Sequence, residues 1–163
     1  MAPLTKSIRT CIIMTAILFA TPDADAAQCR CKPAPRDAAQ SVSADVAAMN
    51  KEGVDYVNSI RAQRGLAPVK YDALIASVAM RHSQWMTDNN KDTTHNKELE
   101  WLLDSGRSMS GQSGVYSVDN ITVKQAIDAW LNSPSHAGLI VGDKNTDIGI
   151  GHVGNDWTII SIP

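Results

Sequence analysis

The sequence lacks the features of a nucleic-acid-binding protein and has few of those of a membrane-spanning one. Its 15 lysines and arginines are offset by 17 aspartates and glutamates, for a formal net charge of -2, and they form no basic run. DNA and RNA require a basic face opposite the phosphates, so nucleic acid is not an expected partner. The apolar stretch from Cys11 to Ala20 is about half as long as the roughly 20 residues of a membrane-spanning helix. We therefore expect no transmembrane segment in the mature protein.

Cysteine is also scarce, with only Cys11, Cys29 and Cys31 in the chain. One residue separates Cys29 from Cys31, so a disulfide between them would be strained, and the pair alone supplies only two metal ligands. Free thiols and a labile or intermolecular disulfide both fit this spacing. Neither arrangement braces a core, and a chain of 163 residues can bury enough apolar surface to fold without one.

The N-terminus has the pattern of a secretory signal peptide over residues 1–26. Lys6 and Arg9 precede the apolar stretch, and Ala24-Asp25-Ala26 forms a small-x-small cleavage site. We expect a secreted or extracellular protein, or a periplasmic one in a Gram-negative bacterium. Residues 27–41 are rich in proline and alanine and are expected to form a flexible linker, which leaves residues 42–163 as a single domain.

Hydrophobic periodicity predicts four helices and one antiparallel hairpin in this domain, which is therefore of the α/β class. The helices are expected at Ser43–Gly65, Asp72–Met86, Lys97–Ser105 and Thr122–Asn132, and the strands at Asp147–Val153 and Trp157–Ile162. The stretch 105–113 is expected to be a surface loop. Gly149 and Gly151 flank Ile150 in the first strand, and tight packing of a helix over them is favoured over close approach of a ligand.

Four blocks of the sequence occur in the order of one known family. They are Val57–Val69, the helix from Asp72 with its polar loop to His95, Thr122–His136 with Ser-Pro-Ser-His, and Gly149–Gly151. Over about Val54 to Pro163 they resemble the CAP superfamily of secreted proteins, especially its small bacterial-type members. The resemblance implies a three-layer α-β-α sandwich with a small antiparallel sheet.

The resemblance also implies a cleft that gathers two histidines and two acidic residues. The histidines fall on His95 and His136, whereas the acidic positions fall on Gln112 and Ser133. Ser133 is moreover expected to be an N-cap, with Pro134 at the first helical position. Without the two carboxylates the cleft lacks the usual means of orienting a water or a base, so binding is expected rather than catalysis.

Zn²⁺ is the cofactor that two neutral imidazoles would favour, with His95 and His136 as its ligands and Gln112 as a poor third. Two hydrogen-bonded histidines without a metal are the favoured alternative. Glu98 or Asp119 would supply a missing acid, but Glu98 also fits a solvated residue that the helix dipole favours. His82 is expected at the surface or boundary of its helix.

Three functions fit these residues. The first is a secreted protein whose cleft around His95 and His136 binds a lipid, a peptide or a cell-surface component. The second is a metal-dependent hydrolase or peptidase with Glu98 or Asp119 as base, and the third is a non-catalytic surface-interaction protein. A serine nucleophile is disfavoured because the sequence contains no Gly-x-Ser-x-Gly motif.

The cleavage site yields the first prediction. Export of the full chain from a bacterial host should release a protein that begins at Ala27, because the small side chains of Ala24 and Ala26 fit the signal peptidase. Intact-mass spectrometry of the exported protein measures this directly. Retention of Met1 on the exported chain would contradict the signal-peptide assignment, and Ala24→Arg should block processing.

Overall fold

The computed structural model describes residues 43–91, 93–107 and 111–163. The predicted signal peptide and linker, including Cys29 and Cys31, lie outside the described residues. The elements are α1 (Ala44–Gln63), β1 (Lys70–Tyr71), α2 (Ala73–Asn89), α3 (Glu98–Asp104), β2 (Gln112–Ser117), α4 (Val123–Leu131), α5 (Ala137–Val141), β3 (Asp147–Val153) and β4 (Asp156–Ile162). Within these ranges no helix is both long and apolar enough to cross a bilayer.

Three of the predicted helix starts are confirmed by side-chain caps. Ser43 accepts from the backbone of α1, and the Asp72 carboxylate accepts from the N–H groups of Leu74 and Ile75. Thr122 and Gln125 form the predicted capping box at the start of α4. These contacts satisfy backbone donors that the first turn of a helix leaves unpaired, and all of them are local in sequence.

The sheet has the strand order β1-β3-β4-β2 and contains the predicted β3–β4 hairpin. β2 pairs antiparallel with β4, so the expected surface loop over 105–113 is wrong at its end, where Gln112 and Ser113 begin a strand. The small antiparallel sheet is extended at its other edge by the two residues of β1, which were not predicted and pair parallel with β3. A glycine in β2 and the shortness of β1 weaken both signals in the sequence.

The three-layer α-β-α arrangement is confirmed. One face of the sheet packs on α1, α4 and α5 around a core that includes Val57, Trp130 and Ile150. The other face packs on α2 and α3 through residues such as Ile75, Leu102 and Ile160. Successive strand residues alternate between these two cores, as the pleat of a strand requires.

Gly149 and Gly151 let the backbone of α2 lie directly on β3. A Cβ atom on Gly149 would lie 2.2 Å from the Ala76 nitrogen, and one on Gly151 would lie 2.2 Å from the Ala79 carbonyl carbon. Real side chains do not approach so closely, so only glycine fits at either position. The predicted tight helix packing is confirmed, and it fixes the depth at which α2 presents its side chains to the sheet.

The outer edge of β3 is completed by a side chain. β1 ends at Tyr71, so Ile150 has no strand partner on that side. The buried Asn50 amide of α1 donates to the Ile150 carbonyl at 2.8 Å and accepts from the Ile150 N–H at 2.8 Å. It therefore replaces a strand residue and satisfies two buried backbone groups that would otherwise be costly.

A buried guanidinium ties the loop after α1 to the end of α5 and to the loop that follows α5. Arg61 donates to the carbonyls of Ala67 at 2.7 Å and of Ile140 and Gly142 at 2.9 Å. Burial lowers the pKa of Arg61, with a smaller opposing effect from Asp143. The contacts are to neutral carbonyls, so this arginine organises backbone rather than forming an ion pair, and it anchors the segment that follows His136.

Substitution of Gly151 tests the packing of α2. Gly151→Ala should lower the free energy of unfolding by about 3 kcal/mol, because the methyl group forces α2 away from the sheet. Urea denaturation measures the loss. Gly65→Ala is the matched control, since its φ is +69° and nothing lies within 4 Å of the added carbon. It should cost only about 1 kcal/mol of backbone strain, and an equal loss in both variants would argue against tight α2 packing.

Candidate functional site

His95 lies in the loop between α2 and α3 and is oriented by a buried carboxylate. Its Nδ1 is 2.6 Å from Glu98 Oε1, and the Asn96 N–H donates to Glu98 Oε2 at 2.8 Å. The His95 side chain is 50% exposed, whereas Glu98 is only 2% exposed. Glu98 is therefore not a solvated acid at a helix start, and that alternative is wrong.

The hydrogen bonds decide the charge of this pair. Burial favours neutral Glu98, but hydrogen bonds from His95 and from the backbone N–H groups of Glu98 and Asn96 outweigh it and hold the pKa of Glu98 below its ordinary value. The hydrogen bond to Glu98 raises the pKa of His95 against the effect of burial. Because the ionised carboxylate only accepts, His95 carries its proton on Nδ1 and leaves Nε2 for a ligand.

His136 is held by the turn between α4 and α5. Its Nδ1 lies 3.1 Å from Ser133 Oγ, and the N–H groups of His136 and Ala137 donate to the Ser133 carbonyl. α5 begins at Ala137, with His136 as its N-cap, so the predicted capping role of Ser133 and the helical start at Pro134 are wrong. The hydroxyl binds the imidazole instead of a helix amide.

The two histidines interact electrostatically. Burial lowers the pKa of His136, and the charge that His95 can carry lowers it further. His136 is consequently neutral at pH 7, whereas its neighbour is the more basic of the two. The two histidines, 41 positions apart in the sequence, thus lie near enough in the fold to interact through charge, although His136 is not among the residues that line the cavity at His95.

The cavity at His95 has a volume of about 430 Å³. It is lined by His95, Asn96, Lys97, Glu98, Leu99, Glu100 and Ser113. The adjacent Gln112 points to the opposite face of β2, where it lies against Gly138 and lines a different cavity of about 240 Å³. Side chains alternate along a strand, so Ser113 rather than Gln112 shares the His95 cavity.

The other predicted acid lies elsewhere. Asp119 is exposed in the turn after β2 and has no hydrogen bond or ion pair to His95 or His136 within the described part of the chain. In that same part, no group of three or more histidine, cysteine, aspartate or glutamate side chains is arranged to hold a metal. A cation at the two histidines would have only two described protein ligands.

His82 was placed at the surface or boundary of α2 from the sequence, and that prediction is wrong. It is fully buried, with Nδ1 3.0 Å from Thr158 Oγ1 and Nε2 3.4 Å from Glu98 Oε2. It lies four residues after Val78, three after Ala79 and four before Met86, which puts it on the apolar face of the helix. That spacing was the signal of burial in the sequence.

Removal of the Glu98 charge should lower the pKa of His95. In Glu98→Gln the carboxylate effects disappear and burial alone remains, so the pKa should fall below that of the wild-type ring. The raised pKa of the native ring stabilises the fold below the unfolded value of about 6.5 and is lost as the pH rises through the folded pKa. NMR titration of the imidazole carbons measures the shift.

His152 provides the internal control for this titration. It stacks on Trp157 at 3.8 Å and binds the Gly154 carbonyl, away from Glu98. Its titration should be unchanged in Glu98→Gln. An unchanged His95 pKa in that variant would show that the carboxylate does not govern the exposed imidazole.

Sequence comparison identifies one family. The profile of the CAP family, described as the cysteine-rich secretory protein family, matches residues 54–159. The uncharacterised membrane protein YlbC of Bacillus subtilis strain 168 is 31% identical over 105 residues, which cover 62% of this chain and 30% of YlbC. The chain thus spans less than a third of that relative.

Solved structures of bacterial proteins share the fold. An extracellular SCP-domain protein of Bacillus anthracis is 23% identical with a TM-score of 0.64, covering 71% of this chain and 40% of its own. A cysteine-rich secretory protein of Staphylococcus aureus is 18% identical with a TM-score of 0.62, covering 72% and 39%. An outer surface protein of Borrelia burgdorferi is 16% identical with a TM-score of 0.57, covering 68% and 89%. These identities show the fold alone, but the family profile spans most of the domain, and the chain belongs to the CAP family of cysteine-rich secretory proteins.

Proposed function

We propose that this chain is an exported CAP-domain protein that binds a ligand at the cleft of His95 and His136. The observation that carries the proposal is the 2.6 Å contact between His95 Nδ1 and buried Glu98 Oε1. A carboxylate on one ring nitrogen fixes the tautomer and leaves the other nitrogen as an acceptor or ligand. Export is supported by the signal pattern over residues 1–26 and by likeness to extracellular and outer surface proteins.

The lining of the cavity favours a peptide or another polar cell-surface component over a lipid. Leu99 is the one apolar side chain among its seven lining residues. Ser113 Oγ is buried and has no hydrogen-bond partner within the described residues. A ligand that carries amide or hydroxyl groups would satisfy this atom together with His95 Nε2.

The donor set also fits a weakly held divalent cation. His95 and His136 would be its protein ligands, and the Glu98–His95 pair matches the carboxylate–histidine arrangement of zinc sites. With only two described ligands, solvent or the bound ligand would fill the remaining positions. Such a cation would polarise a ligand carbonyl. The hydrolase alternative with Glu98 as base is less well supported, because both Glu98 oxygens already accept hydrogen bonds.

Titration of the mature protein, residues 27–163, tests whether the two histidines form one site. Zn²⁺ added to chelator-treated protein should bind, and His95→Ala/His136→Ala should weaken binding at least about tenfold, or 1.4 kcal/mol. Calorimetry gives the affinity. His152→Ala is the matched control and should bind like the wild type, since that ring is engaged by Trp157.

A second titration uses a pool of random tetrapeptides as the probe. Backbone NMR shifts should concentrate at His95, Asn96 and Ser113 in the wild type and vanish in the double variant. Shifts confined to other surfaces would favour the surface-interaction alternative. Absence of both Zn²⁺ and peptide binding would overturn the proposed site.

A further inference from the structure

A chain of polar side chains runs through the core between α2, β4 and α3. Ser83, His82 and Thr158 are fully buried, and Glu98 is almost so. Burial of polar groups costs free energy unless each finds a partner. The chain ends at His95, which is the only one of the five residues that is exposed. The cleft alone does not account for the buried residues Ser83, His82 and Thr158.

The direction of the hydrogen bonds assigns the proton on His82. Ser83 Oγ donates to Thr158 Oγ1 at 3.0 Å, which leaves the Thr158 hydroxyl proton for His82 Nδ1, also at 3.0 Å. Nδ1 of His82 is then an acceptor, and its proton lies on Nε2. That nitrogen lies 3.4 Å from Glu98 Oε2, too far or too poorly aligned for a hydrogen bond, so its N–H interacts with the carboxylate electrostatically.

His82 is neutral in its setting. Burial lowers the pKa of His82 and outweighs the opposing effects of Glu98, the Thr94 backbone and Asp156, while His95 lowers it further. The rings of Trp85, at 5.8 Å, and Trp101, at 6.2 Å, pack beside the imidazole. A neutral ring enclosed by aromatic side chains presents a fixed N–H dipole rather than a mobile charge.

Glu98 lies between the buried N–H of His82 and the cleft. His82 lies on the side of Oε2, where the Asn96 N–H also donates, and His95 Nδ1 contacts Oε1. Rotation of the carboxylate would break the hydrogen bonds from His95 and Asn96 and would move Oε2 away from the N–H of His82. Its orientation is thus set from the interior, and it in turn sets the orientation of the exposed ring.

We infer that His82 is a positioning residue for the cleft, holding the Glu98 carboxylate so that His95 keeps its proton on Nδ1 and presents Nε2 to the ligand. Thr158 fixes the tautomer of His82 and is the second member of this relay. The consequence for binding rests on the proposed function of the cleft. The consequence for the His95 tautomer does not, so the two can fail separately.

The experiment is long-range proton–nitrogen NMR of the imidazoles in the exported protein at a pH where His95 is neutral. His82→Phe keeps a ring beside Trp85 but removes the N–H group. It should lower the ratio of the Nδ1–H tautomer of His95 to its Nε2–H tautomer by about fivefold. His82→Gln places an amide donor near the position of Nε2 and should restore the ratio to within about twofold of wild type. An unchanged ratio in folded His82→Phe would overturn the inference.

Thr158→Val covers the case in which His82→Phe does not fold. It removes one hydroxyl at nearly constant volume, so His82 can reverse its tautomer and the His95 ratio should fall in the same direction. An unchanged ratio in this variant would also overturn the relay. A fallen ratio with unchanged Zn²⁺ and peptide affinity would retain the positioning role and reject the binding role of the tautomer.

Discussion

The contact between α2 and β3 is the constraint on which the site depends. Gly149 and Gly151 remove the side chains that would hold the helix off the sheet, so helix backbone and strand backbone meet directly. At this depth His82 of α2 reaches Thr158 on the neighbouring strand β4. The same helix leads into the loop that carries His95. The orientation of the exposed His95 imidazole thus depends on the absence of side chains at Gly149 and Gly151.

Buried polar residues serve two different ends in this fold. Arg61 and Asn50 bind backbone groups that have no partner within a helix or between strands. His82 and Glu98 instead bind other side chains, in a chain that leaves the core at the cleft. Backbone-directed polar groups secure a particular fold, whereas a side-chain network aimed at the surface prepares a site.

Local features of this chain could be predicted from its sequence. The caps at Asp72 and Thr122 and the β3–β4 hairpin depend on residues a few positions apart, and they occur as expected. β2 was missed because a strand of six residues with an internal glycine has little pattern of its own and is defined by pairing with β4. The conformation of such segments is decided by long-range strand pairing rather than by local propensity.

The candidate site shows the same division between local features, which the sequence predicts, and long-range contacts, which it does not. His95 and His136 were found through motifs, but the face of β2 occupied by Gln112 and the burial of Glu98 depend on strand register and on α3 packing. The partner of His82 is 76 positions away. The helical spacing of His82 is that of a buried residue, although the ring was predicted at the surface or boundary, and no pattern in the sequence could name Thr158 as its neighbour.

The amide of Asn50 has a consequence beyond the stability of one molecule. An uncovered strand edge is a template on which the strands of other molecules assemble. By occupying both hydrogen-bonding groups of Ile150, this side chain closes the part of the β3 edge that β1 leaves open. A single amide therefore protects the domain against edge-to-edge aggregation.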